Sequence, residues 1–163
     1  MTQEDKVGRI QNLKNVATEK EGIKVLKKSI KKFIVPTKEQ RRSLYKLANI
    51  DFDRYWNAID GIIYKCNSFD EIISTDDFLF IEIKTTKKKL EELPYGAFFG
   101  ISENEEKLLK SHKNYRLCIV HSVKEIYSMI DYNEYEALIR NKRITYQVDF
   151  KLPHQKDRYK YSL

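Results

Sequence analysis

Seven consecutive residues, Phe78-Leu79-Phe80-Ile81-Glu82-Ile83-Lys84, constrain this chain most. Alternate residues of a strand face opposite sides of a sheet. Leu79, Ile81 and Ile83 then share one face, all apolar. Phe78, Phe80, Glu82 and Lys84 share the other. Such a segment begins buried on both sides, as a central strand does. Near its C-terminal end one face switches to a carboxylate and an amine. Charges placed there are costly unless they are paired or bind a metal. In open α/β sheets this end of a strand is also where ligands gather.

Further elements surround this strand. Residues 20–34 predict an amphipathic helix with Ile23, Leu26, Ile30 and Phe33 in one stripe, ended by Pro36. Thr37 and Gln40 form a capping-box pair, predicting a helix over 38–49 with Leu44 and Leu47 inward. Ala58, Ile59, Ile62, Ile63 and Tyr64 suggest a strand interrupted by Asp60-Gly61. Residues 97–101 and 115–121 read as strands, with a helix over 103–112 between them, capped by Ser102 and Glu105. A helix over 133–141 and an alternating strand over 143–150 complete the pattern. Strands interleaved with helices predict an α/β or α+β fold, a central mixed sheet flanked by helices. At 163 residues the chain reads as a single domain, 1–163, with a basic helical segment over 1–50 and a sheet core over 56–150.

Charge is distributed unevenly. Residues 1–50 hold 13 Lys/Arg against 5 Asp/Glu, and the remainder 18 against 19. A one-sided basic segment suits an anionic partner, most often nucleic acid. Lys24, Lys27, Lys28, Lys31 and Lys32 fall opposite the apolar stripe of the first helix, and Arg41 and Arg42 continue the basic surface. Thr85 and Lys87, next to the central strand, are further candidates for phosphate contact. The same residues also suit an ordinary solvated face. No apolar run is long enough to span a membrane, and Met1 to Asp5 is polar without a signal-like stretch after it, so a cytoplasmic location is expected. Cys66 and Cys118 are expected to be buried, reduced thiols. His112, His121 and His154 read as structural or surface residues.

The pattern Glu/Asp-x-Lys occurs four times, at Glu4-Lys6, Glu82-Lys84, Glu105-Lys107 and Asp149-Lys151. The Glu105 pair falls in a predicted helix, where positions two apart diverge. Asp149-Lys151 ends a predicted strand but lacks an aspartate in a matching neighbour. Only Glu82-Lys84 combines a buried strand, a strand end and an upstream aspartate, Asp60. Gly61 permits a bulge or bend beside that aspartate. Two carboxylates brought together repel unless a cation lies between them. A divalent ion with oxygen ligands, such as Mg²⁺, meets that need.

The segments Ile59-Asp60-Gly61-Ile62-Ile63 and Phe80-Ile81-Glu82-Ile83-Lys84-Thr85-Thr86 resemble the core of PD-(D/E)XK nucleases, the restriction-endonuclease-like fold. Ala97 to Glu105 and Tyr115 to Val120 extend the likeness to the restriction-linked branch that includes NO VEIN-type C-terminal domains. It covers about residues 58–121, with Ile59 where a proline often stands. The resemblance implies phosphodiester hydrolysis, with Asp60, Glu82 and the Ile83 backbone carbonyl as metal ligands for Mg²⁺, Mn²⁺ substituting. It casts Lys84 as the residue that orients the attacking water, and it suggests a helical fourth acid, for which Glu39 is the candidate. The expected activity is a type II restriction endonuclease, or the small catalytic subunit of a heteromeric one. Its partners would be double-stranded DNA and either a second copy or a larger DNA-recognition subunit. A repair, phage or RNA-directed nuclease, or an inactive nucleic-acid-binding module, are the alternatives.

Overall fold

A computed structural model describes residues 18–153. Glu4-Lys6, His154 and the first third of the basic segment lie outside the described residues. The chain runs from helix α1 (18–29) to β1 (Phe33–Ile34), α2 (Lys38–Leu47), α3 (Phe52–Tyr55) and β2 (Gly61–Tyr64). Then come β3 (Phe78–Thr86), α4 (Glu103–Ser111), β4 (Tyr115–His121), β5 (Ile126–Ile130) and α5 (Tyr132–Leu138). The strands form one five-stranded sheet in the order β1-β2-β3-β4-β5. All neighbours are antiparallel except β3 and β4, which run parallel through the α4 crossover. The expected mixed sheet with flanking helices is therefore present.

The two faces of β3 bury as its alternation predicts. Ile81 and Ile83 join Val25 and Leu26 of α1, together with Cys118 and Val120. Phe78 and Phe80 join Leu44 and Tyr45 of α2, Leu108 and Leu109 of α4 and Tyr135 of α5. Helix α1 thus covers one face, and α2, α4 and α5 the other. Gly22 lets α1 approach closely, since a Cβ there would lie 2.7 Å from Ile83 Cγ2 and 2.4 Å from Thr85 Oγ1.

Several local expectations are corrected. The first helix ends at residue 29, not 34, and Phe33–Ile34 form a strand paired with Ile62 and Ile63. Two β-favouring residues gain a ladder there that a helix would deny them. The capping box of Thr37 and Gln40 is present, but α2 ends at Leu47. Asn49 adopts φ +54°, with Asn49 N–H donating to Lys46 O and Ile50 N–H to Tyr45 O, a Schellman closure. Leu47 is 43% exposed, and Tyr45, not Leu47, joins Leu44 in the core. Residues 97–101 form no strand. Both edges of β3 are already taken, by β2 and β4, so Ala97, Phe99 and Ile101 pack loosely on the core as part of the connection to α4. Residues 143–150 likewise make no strand, and α5 ends at Leu138. The last strand is instead β5, which follows a turn with Glu125 at φ +53°.

Candidate metal and catalytic site

Strand β2 begins at Gly61, paired with Ile81, so Asp60 stands one residue before the ladder. Its amide still donates to Ile81 O at 2.8 Å. Its carboxylate then takes over where the strand is missing, and Oδ2 accepts from Ile83 N–H at 2.7 Å. A strand residue presents its N–H and C=O to the same side. The Ile83 carbonyl therefore faces the same gap between β2 and β3. Gly61 is needed for this start. A Cβ there would lie 2.5 Å from the Phe33 ring and 3.0 Å from Ile34 O.

The turn before Asp60 is clamped from three sides. Tyr45 donates its hydroxyl to Tyr55 O at 2.6 Å. Arg41 donates to Trp56 O at 2.8 Å and Ile59 O at 2.9 Å. Tyr115 donates to Ala58 O. Arg41, expected on a DNA-contacting face, is thus turned inward to shape the approach to Asp60. Burial pushes the Tyr45 phenol up to about 12 and keeps it a donor.

Glu82 is only 4% exposed. Its Oε1 accepts from Lys84 Nζ at 2.9 Å. Its Oε2 is buried and receives no hydrogen bond among the described residues. Burial, and then the neighbouring Asp60 charge, push Glu82 up to about 9. Burial also raises Asp60 to about 6, despite the Ile83 amide that favours its ionised form. Lys84 bridges two acids, its Nζ also lying 2.8 Å from Glu105 Oε2. Burial pulls the Lys84 amine down, but the charges of Glu82 and Glu105 outweigh it and the net shift is upward. Lys84 is therefore a fixed cation and not a free base.

A divalent cation suits this donor set. Two crowded carboxyl groups, one with an orphaned buried oxygen, are each costly to ionise in its absence. Among the described residues no three His, Cys, Asp or Glu side chains gather around one point. Asp60 and Glu82 would thus hold an ion together with the Ile83 carbonyl and water, a sparse protein shell of the kind Mg²⁺ accepts.

Other expected residues are placed differently. Glu39 is exposed on the first turn of α2, and the helical acid whose charge reaches Asp60 is Glu19 of α1. Thr85 lies on the α1 face of β3, against Gly22, so it points away from Glu82 and Lys84. Lys28 pairs with Glu125 at 2.9 Å and Lys87 with Glu21 at 3.1 Å. Lys32 donates to Cys66 O at 2.8 Å, and Arg42 lies 4.3 Å over the Phe52 ring. Lys24, Lys27 and Lys31 are exposed. His112 and His121 bond the backbone carbonyls of Ala48 and Lys88, as structural residues do. Both cysteines are free thiols, Cys118 buried and Cys66 only partly so.

Nothing in the sequence marks Glu105 as a neighbour of Lys84. Its capping box with Ser102 is visible in the sequence, but its reach to Lys84 is not. That reach follows from the crossover, which returns the N-terminus of α4 to the C-terminal end of β3. Comparison with protein-family models, with curated proteins and with solved structures finds no match.

Proposed function

We propose that the chain is a Mg²⁺-dependent endonuclease hydrolysing phosphodiester bonds of double-stranded DNA, with Asp60, Glu82 and Lys84 as its centre. The observation that carries this reading is the pairing of two coupled carboxyl groups, Glu82 buried and Asp60 half-buried, with a lysine held beside Glu82. Asp60 and Glu82 would hold the ion, with Mn²⁺ able to replace it, and the Ile83 carbonyl would complete the protein ligands. When bound, the metal supplies charge for the phosphoryl oxygens and lowers the pKa of a coordinated water. Lys84, kept protonated, orients the attacking water and stabilises negative charge developing on the phosphate. The clamp on residues 55–59 keeps Asp60 from drifting as charge is neutralised. The resemblance to PD-(D/E)XK nucleases, set out above on the sequence, points to the same chemistry and to a restriction system. Among the described residues no helix is long and apolar enough to cross a membrane.

Supercoiled plasmid incubated with the protein and Mg²⁺ tests this reading. Nicking or linearisation that Asp60→Ala abolishes supports it. Cutting that survives Asp60→Ala overturns the site, and degradation of RNA alone overturns the substrate. Cutting only after a larger subunit is added identifies a catalytic subunit.

A further inference from the structure

The turn that delivers Asp60 carries the chain's single tryptophan, Trp56, four residues upstream. Trp56 is 57% exposed, although the backbone beneath it is fixed. Arg41 donates to the Trp56 carbonyl at 2.8 Å, and any residue there supplies that carbonyl. The fold therefore asks for a backbone at this position and not for an indole. The same turn lies against the N-terminus of α4. Asn104 Nδ2 donates to Arg54 O at 3.1 Å, and the next residue, Glu105, holds Lys84. A second exposed ring, Phe98 at 84%, precedes the α4 cap Ser102 by four residues, while Ala97 and Phe99 beside it pack on the core. Single exposed apolar side chains are ordinary. These two are set apart by their place, on the segments that lead into Asp60 and into Glu105.

We infer that Trp56 stacks on a base that has left the double helix next to the cut, so that the preferred substrate is DNA with an unpaired base at that point. The inference rests on the nuclease reading and narrows its substrate. Position favours a nucleic acid as the occupant. Four residues span at most about 14 Å, or about four base steps of roughly 3.4 Å. A strand whose phosphate lies at Asp60 and Glu82 therefore has bases within reach of the ring. Shape favours it too, because an indole presents a flat apolar face of the kind bases stack on. In an intact duplex both faces of every base are already covered by neighbouring bases, and extrusion carries a cost that is least where the base is unpaired. Stacking on an aromatic side chain returns about 5- to 150-fold in affinity, which is comparable to that cost. The two nearly cancel on paired DNA. On DNA with an unpaired base the cost falls away and the gain remains.

Because Trp56 is the only tryptophan, intrinsic emission reports on it directly. The full chain carrying Asp60→Asn, which keeps an oxygen for the Ile83 amide, is titrated in Mg²⁺ with a short duplex holding one bulged base and with its fully paired counterpart. Fluorescence anisotropy of labelled DNA measures binding independently. The bulged duplex is expected to bind more tightly and to quench Trp56 in step with binding. Adding Trp56→Ala is expected to weaken the bulged duplex by about 5- to 150-fold and the paired one little, with unchanged circular dichroism. Trp56→Tyr, which keeps a ring, is expected to recover most of the loss. Emission unchanged while DNA binds, as when the ring serves a protein partner instead, overturns the inference. So do equal affinity and quenching with both duplexes, or no binding of either. Plasmid nicking by the wild type judges the nuclease reading separately, and nicking that persists beside any of these outcomes leaves that reading standing.

Discussion

Lys84 Nζ sits 2.8 Å from Glu105 Oε2, tying the end of the central strand to the first turn of α4. The same Oε2 accepts from Ser102 N–H at 3.0 Å, so one carboxylate both caps the helix and holds the lysine. On the proposed nuclease reading, Glu105 would position Lys84 and not touch substrate. Glu105→Gln keeps an oxygen for the cap but removes the charge. Loss of an orienting neighbour of this kind typically costs about 10–100-fold in activity. The expected result is a fall in kcat of that order with KM for DNA and melting temperature little changed. A variant whose KM rises while kcat holds would assign Glu105 to DNA binding instead.

Gly61 supports the site through space and not chemistry. In Gly61→Ala the new methyl meets the Phe33 ring at 2.5 Å, in a packed sheet between β1 and β3. Overpacking of this kind costs about 1–3 kcal/mol. Thermal unfolding should show a lower midpoint, and nuclease activity should fall further than stability alone explains, because Asp60 is the next residue. A midpoint equal to wild type would show that Phe33 moves aside freely.

The buried Glu82 and half-buried Asp60 set a pH dependence for the metal-free protein. Glu82 rises from an ordinary 4.5 to about 9, and Asp60 from 3.8 to about 6. The folded state therefore binds protons more tightly than the unfolded one. This stability is fully present below about pH 4 and is lost as pH rises through the folded values. Between pH 4.5 and 9 the expected slope is on the order of 1 kcal/mol per pH unit for the Glu82 proton. Urea unfolding in chelator should follow it, and Glu82→Gln should flatten it. Stability that instead rises with pH over that range would mean Glu82 is ionised in the folded protein.

Basic residues separate by role. Arg41 holds two carbonyls before Asp60, so Arg41→Met is expected to lower stability. Lys24, Lys27 and Lys31 are exposed, and their replacement by Ala is expected to spare stability and weaken DNA binding. Each true phosphate contact removed lowers the salt slope by about 0.9. An unchanged slope in filter-binding titrations would place the DNA elsewhere.

Strand β3 was legible because its burial is written in its alternation, and β4 because its apolar run opens directly after the polar Lys113-Asn114. Helix α4 was legible through its capping box. Strand β5 was not, because its turn, Ser122-Val123-Lys124-Glu125, contains no Gly, Pro, Asn or Asp, and Glu125 supplies the positive φ. Residues 97–101 misled because β propensity does not tell whether the neighbouring strand, here β3 between β2 and β4, still has a side to pair with. Within the site, Asp60, Glu82 and Lys84 could be named from spacing and likeness. Glu105, Tyr45 and Tyr115 could not, because their roles arise from tertiary contacts to residues 10 to 57 positions away.

Mn²⁺ binding, followed by calorimetry on the wild-type chain and on Asp60→Asn and Glu82→Gln, tests the proposed metal centre most directly. Circular dichroism on each variant confirms that it is folded. A shared site predicts that the wild type binds Mn²⁺, that either substitution abolishes or strongly weakens binding, and that plasmid nicking is lost in parallel. Mn²⁺ binding unchanged in both folded variants would contradict a metal centre at Asp60 and Glu82.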